Sequence, residues 1–195
     1  MGPEADIHVV PATADRWADI VAVFGTRGDP ARCWCQWFFD GSQIGFGEVA
    51  AANRAALKAQ MREAPAPGVL AYDGEQPAGW CAVAPRPCYG RLRRGPLLRG
   101  TDPAELADDA VWSVTCFVVK VGHRRRGIAA ALLRGAVAHA GASGASVVEG
   151  YPVDVAGSGS SSASLYHGPL STFLGAGFAE VTHPTARRAV VRLVL

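Results

Sequence analysis

Charge of either sign is scarce in this chain. Of its 195 residues, 19 are Lys or Arg and 17 are Asp or Glu, leaving a net charge of +2. A field that weak draws in neither nucleic acid nor an anionic membrane. Long apolar runs are lacking as well. The run 114–119 stops at Lys120, whereas a membrane span needs about 20 apolar residues. No fixed repeat period accompanies the 23 glycines and 13 prolines, which excludes solenoids and collagen. The N-terminus lacks a charged-then-apolar leader. The cysteines number five, an odd count, and three of them sit inside apolar runs. They read as reduced thiols of a cytoplasmic protein. Cys33 and Cys35 have no second pair at ligand spacing and the five histidines are scattered, so no metal site is expected.

What is present is apolar material, 49% of the chain. That suffices for one core, and a single domain over residues 1–195 is expected. Strand patterns fall at 7–10, 68–72, 78–83, 111–119, 147–153, 178–181 and 189–195, with the turn DGEQ joining the second and third. Trp17, Ile20, Val21 and Phe24 mark a helix face that Thr13 can cap. Further helices are predicted at 48–63 and 127–140, the second with Ile128, Leu132, Leu133, Ala136 and Val137 on one face. Pro169 suits the first turn of a short helix that ends near Gly177. CWCQWFFDGSQIGFG, residues 33–47, reads as a packed loop or short helix. Residues 85–109 read as a long connection with one helical piece, and GSGSSSAS, 157–164, as a flexible link. Strands alternating with helices, plus a hairpin, give a mixed α/β or α+β fold.

The chemistry concentrates at VVKVGHRRRGIAAALLRG, residues 118–135. Gly122 and Gly127 have P-loop spacing, but Ile128 and Ala129 stand where Lys and Ser/Thr are needed. GSGSSS at Gly157 lacks the third glycine of a dinucleotide fingerprint. A strand, a tight basic turn, Gly127 and a helix opening on small residues remain. That order aims free backbone N–H groups and a positive helix end at an anion. The requirement matches a pyrophosphate, with Arg124, Arg125 and Arg126 adding charge. The bland alternative is an arginine run that is only solvated surface.

RRRGIA, residues 124–129, fits the R/Q-x-x-G-x-G/A motif and resembles the GCN5-related N-acetyltransferases, the GNAT superfamily. FVV before it, the helix after it, and FLGAGFAEV some fifty residues on resemble the same family. The resemblance covers residues 7–195 in element order and is motif-level from about 112 to 181. With its CWC segment and WSVTCFVV…VEGYPVD core, the chain also looks like a bacterial subgroup. The resemblance implies a mostly antiparallel, twisted sheet splayed at the acyl-CoA site, with helices on both faces. It implies that acetyl-CoA sits with its pyrophosphate on the backbone of Arg124, Arg125, Arg126, Gly127, Ile128 and Ala129. The pantetheine arm would pair with residues 117–121, ending at Val121, and the Val119 amide would face the thioester carbonyl. The implied reaction is direct acyl transfer to an amine of a small molecule or peptide, aided by a base and an acid. A homodimer is left open; no nucleic acid, membrane or metal partner is expected.

The acid and base are where the sequence departs from the family. The position of the usual acidic tyrosine holds Phe173, which cannot donate a proton, and strand 111–119 carries no Asp or Glu. Tyr166 and Glu149 come forward as substitutes, ahead of Cys116, which lies close to the expected thioester. Glu149 shares a strand face with Tyr151. Among the aromatics, Trp34, Trp37, Trp112 and Tyr151 are the expected substrate contacts, although each also suits a core, as does Tyr89. A second class of function stays open on the same departures: an acyl-CoA-binding regulator without turnover.

Overall fold

Seven strands make one sheet in the order β1-β2-β3-β4-β5-β7-β6. They are β1 Ile7–Pro11, β2 Gly68–Asp73, β3 Gln76–Pro85, β4 Val111–Val119, β5 Val147–Gly150, β6 Ala179–Thr185 and β7 Arg188–Val194. Every neighbouring pair is antiparallel except β4 and β5. The structure is a computed structural model describing residues 6–41, 43–155 and 166–195. The Ser-rich link expected at 157–164 lies outside the described residues. The helices are α1 Trp17–Phe24, α2 Gly28–Cys33, α3 Glu48–Gln60, α4 Gly90–Arg93, α5 Pro103–Leu106, α6 Ile128–Ala142 and α7 Leu170–Leu174. This is the mixed α+β fold expected, with helices on both faces of a mostly antiparallel sheet.

The two faces are built by different residues. Ile128, Leu132, Leu133 and Ala136 of α6 pack on Val69, Ala71, Cys81, Val114 and Phe117. On the other face Ile20, Val23 and Phe24 of α1 and Leu57 of α3 pack on Leu70, Trp80 and Val118. Central β3 is covered on both sides, which is why its sequence, QPAGWCAVAP, shows no polar alternation. A third cluster, with Tyr89, Leu92, Leu98, Tyr151 and Val190, sits beneath the connection between β3 and β4.

Several local expectations need correction. That connection holds α4, α5 and two single 3-10 turns, Arg86–Cys88 and Pro96–Leu98, instead of one helical piece. Pro96 and Pro103 start such segments because a first-turn proline gives up no hydrogen bond, and the Asp102 carboxylate caps α5 by accepting from the Ala104 N–H at 2.7 Å. The Thr13 hydroxyl makes no cap; it donates to Asp15 at 2.5 Å. Strand β5 ends at Gly150, short of residue 153, because Pro152 cannot donate to a ladder. Pro169 stands just outside α7, in extended conformation.

One irregularity governs the site. Ala82 pairs with Cys116 and the next residue, Val83, with Val114, so Thr115 is an extra residue on β4, a bulge. Strict alternation from Val114 would turn Cys116 and Val118 toward α6. The bulge reverses this: Trp112, Val114, Phe117 and Val119 face α6, while Cys116 and Val118 face α1.

Candidate active site

Past the bulge, β4 has a strand partner on one side only among the described residues. Its antiparallel ladder with β3 runs to Val119, whereas the parallel ladder with β5 covers only Val111 to Val114. The open side therefore begins at Thr115. The Lys120 N–H donates to the Ala78 carbonyl on β3 at 2.9 Å. By strand alternation the main-chain groups of Val119 and Phe117 face the opposite way, toward the gap beside β5. A row of unpaired backbone groups inside a sheet is a template for an added strand.

The gap leads to the head of α6. Gly127 has φ +84°, a left-handed conformation that glycine adopts without strain. The Ala131 N–H donates to the Gly127 carbonyl at 3.0 Å, which leaves the amides of Ile128, Ala129 and Ala130 without intrahelical acceptors. A side chain at 127 would meet nothing nearer than Ile7 Cδ1 at 3.9 Å, so there is open space above that turn. The arginines divide. Arg126 pairs with Asp73 at 2.7 Å, beside His123, whose Nδ1 lies 2.9 Å from the same carboxylate. That pairing clamps the turn to the end of β2. Arg124 and Arg125 are exposed and make no ion pair with a described residue, so they are the ones available to an anion. Arg125 is itself left-handed, φ +61°. Val121 is exposed and lies at the start of the turn.

Of the three residues expected to carry proton or nucleophile chemistry, the structure brings together Tyr166 and Cys116. Tyr166 is 39% exposed, and its ring lies tilted against that of His167, the centroids 4.0 Å apart. Burial raises its hydroxyl pKa, the Cys116 thiol adds to the rise, and Arg188 opposes it. Cys116 is half-buried and faces Cys35, the two sulfurs 2.9 Å apart.

Glu149 is elsewhere, and its expected role as base needs correction. Its side chain is wholly buried. The carboxylate accepts from Arg192 Nε at 2.6 Å, from Arg86 Nη1 at 3.3 Å and from the Tyr151 hydroxyl at 2.5 Å. Tyr151 continues to Ser113 at 2.8 Å, and Arg86 donates to the Glu105 carbonyl. A carboxylate so buried and engaged is closed to an incoming amine. Period-two spacing did place Glu149 and Tyr151 on one face, but that face is interior.

The expected substrate aromatics also sort by burial. Trp34 lies in the core, stacked on Phe24 at 4.8 Å. Trp112 is under α6, edge-on to His139 at 5.7 Å, and Tyr151 belongs to the buried cluster just described. Those three are packing residues because large rings sit where both sheet faces are covered. Trp37 alone reaches solvent, at 37%, with the Arg91 guanidinium 4.0 Å above its ring. Phe173 is fully buried between Phe117 and Phe178. Its ring fills the place a Cβ on Gly150 would take, 2.2 Å from Cε1.

His167 was missed by sequence reasoning. Its Nδ1 is 3.0 Å from the Thr115 carbonyl, and because a carbonyl only accepts, that nitrogen carries the proton and the lone pair is on Nε2. Burial, then the Arg188 charge, lowers its pKa to about 3. The ring occupies the start of the open side of β4 and holds Tyr166 beside it. A single histidine after a Ser-rich stretch carries no periodic signal, so only its place next to Tyr166 pointed to it.

A strand open along one edge past a bulge, then a glycine-led helix end, is the arrangement that the motif resemblance implied. The acetyltransferase (GNAT) family model matches residues 49–166, more than half of the chain, and the chain belongs to that family. A GCN5-related N-acetyltransferase from Kribbella flavida is similar in fold over 100% of both chains, at 17% identity and TM-score 0.56. The GNAT domain of S. lividans PAT is similar over 97% of this chain and 90% of its own, at 17% and 0.55. The protein yncA from Salmonella typhimurium, solved with its cofactor acetyl-CoA, is similar over 97% and 94%, at 13% and 0.53. Comparison with curated proteins gives no match.

Proposed function

We propose that this acetyltransferase uses acetyl-CoA and passes the acetyl group directly to an amine of a small molecule or peptide. One observation carries the reading: β4 keeps its β3 partner to Val119 but loses β5 after Val114, and the open edge leads to the Gly127 turn. The residues fit the donor. The amides of 128–130 and the side chains of Arg124 and Arg125 would hold the pyrophosphate, and the space over Gly127 admits it. The main-chain groups of Phe117 and Val119 would hold the pantetheine arm as an added strand. The acetyl-CoA bound to yncA supports the same donor.

When bound, the donor supplies a thioester carbonyl open to attack. The Val119 N–H, already oriented by the sheet, would stabilise negative charge on the carbonyl oxygen without reorganisation. Tyr166 is proposed to give its proton to the departing thiolate. Like any tyrosine whose pKa is not lowered, it is protonated at neutral pH. His167 positions Tyr166 through its bond to Thr115. With Glu149 locked inside, the acceptor amine loses its proton to water, and positioning supplies most of the acceleration. Trp37 is the proposed acceptor-side contact.

Titration calorimetry with acetyl-CoA, followed by a panel of amines with the acetylated product read by mass, tests this. Binding and turnover are expected; absence of acetyl-CoA binding would end the reading. The burial of Phe173, which removes the usual acid, favours one second reading, an acyl-CoA-binding regulator. Tight binding with no product from any amine would select it.

A further inference from the structure

We propose that Cys116 and Cys35 form an oxidisable pair, a modification site that joins the CWC segment to β4 by a disulfide. The two residues are 81 positions apart in sequence, yet their sulfurs lie 2.9 Å from each other. That is less than an ångström beyond the bonded distance of about 2.05 Å. The bulge at Thr115 is what turns Cys116 toward the α1 face, where Cys35 lies.

The other half of the pair is held by unusual backbone. Trp34 has φ +47° and Cys35 φ +53°, two consecutive non-glycine residues in the left-handed region. Each such residue costs on the order of 1 kcal/mol and persists only where the surroundings over-determine it. Here Trp34, stacked on Phe24 and Trp17, anchors the turn, and the following residue aims its thiol inward at Cys116. A narrow recess lined by Gln36, Gln60, Trp80 and Tyr89 adjoins Cys35. The buried Trp80 indole N–H borders that recess without a hydrogen bond of ordinary geometry, yet it opposes part of the burial-driven rise in the Cys35 pKa.

Exposure assigns the roles. Cys116 is half-buried, so a small oxidant reaches it, whereas Cys35 is only 6% exposed. With hydrogen peroxide, the Cys116 sulfur attacks one peroxide oxygen and becomes a sulfenic acid as water leaves. The Cys35 sulfur then attacks the Cys116 sulfur and expels a second water. Two thiols and one peroxide give one disulfide and two waters. The remaining cysteines lack this arrangement. Cys81 is fully buried, with its thiol on the Ala82 carbonyl. Cys33 has its pKa pushed up to about 11 by burial and then by Cys35, and it is only two residues from Cys35. Cys88 is exposed, with no thiol contact among the described residues.

The test reads mass and not turnover, so its outcome is separate from that of the acetyl-transfer reading. Native protein is treated with equimolar hydrogen peroxide, its remaining thiols are blocked with a maleimide, and it is digested with trypsin without reduction. The protein should lose two hydrogens and yield peptides 33–54 and 100–120 as one linked species. Fragmentation should place the link at Cys35, and dithiothreitol should release it. In Cys35→Ser the link should vanish and a dimedone adduct should accumulate on Cys116. A link through Cys33, or Cys116 over-oxidised while Cys35 stays reduced, would overturn the proposal. The wild-type map alone decides the matter if the variant does not fold.

Discussion

Glu149 carries the charge of two guanidinium groups at the centre of the molecule. Arg86 has no exposed side-chain surface and Arg192 is 29% exposed, so removing the carboxylate leaves the buried Arg86 cation with only the more distant Glu105 carboxylate, 4.0 Å away and partly in solvent. Breaking one side of such a pair costs about 3–5 kcal/mol. Glu149→Ala should therefore lower the urea midpoint by a corresponding amount, while Glu149→Gln, which still accepts hydrogen bonds, should lose less. An unchanged midpoint in the alanine variant would remove the structural role argued here. His167 makes a second residue-scale prediction, on acidity. Its pKa is about 3 when folded against an ordinary 6.5. Between those values the unfolded chain binds a proton that the folded protein refuses, so stability falls as pH drops from about 6.5 toward 3. The slope from this group is at most about 1.4 kcal/mol per pH unit. Denaturant titrations at stepped pH should show it, and His167→Phe should flatten it.

At the scale of elements, the strand–turn–helix around Gly127 was legible because its requirement is local. Left-handed backbone, a glycine and small residues at a helix start are all written in consecutive positions. The seven strands were legible for the same reason, as runs of apolar residues. The bulge at Thr115 was not. Nothing in VWSVTCFVV marks one residue as extra, since Thr, Ser and Cys suit either face of a half-buried strand. Missing the bulge hid the side that Cys116 faces. Glu149 was placed on one strand face with Tyr151, but its engagement by Arg86 and Arg192 was not legible, because these reach it from 63 and 43 residues away. Such long-range pairs have no sequence period. The legible element offers the cleaner test. Gly127→Asp puts a carboxylate where phosphate is proposed to lie; the left-handed backbone at φ +84° costs a side chain on the order of 1 kcal/mol, but Asp tolerates that conformation better than most residues and its charge suits a helix start. The fold should survive, with an unchanged circular dichroism spectrum, while acetyl-CoA affinity falls more than about tenfold, or about 1.4 kcal/mol. Unchanged affinity would show that the phosphates bind elsewhere.

On the scale of the whole molecule, the sheet consists of two parts joined by a narrow seam. Strands β1 to β4 pair along most of their length, and β5, β7 and β6 form a second group. Among the described residues the four register pairs from Val111 to Val114 join them, supplemented by the buried Arg86–Glu149–Arg192 cluster and by the bond from His167 to Thr115. Beyond Val114 the ladder between the parts ends, and that open edge is the proposed place of the pantetheine arm. A ligand lying there makes new main-chain bonds to β4 at the point where the seam ends, so its binding should appear as global stability. At 100 times its dissociation constant a ligand that binds only the folded state adds about 2.7 kcal/mol. For a chain of this size each kcal/mol corresponds to about 2–4 °C. Acetyl-CoA at that excess should raise the thermal midpoint by about 5–10 °C. An adenosine 3′,5′-bisphosphate that lacks the arm can engage only the Gly127 turn and should raise it by a smaller amount at equal concentration. Equal shifts from both compounds would mean that the open edge of β4 takes no part in binding.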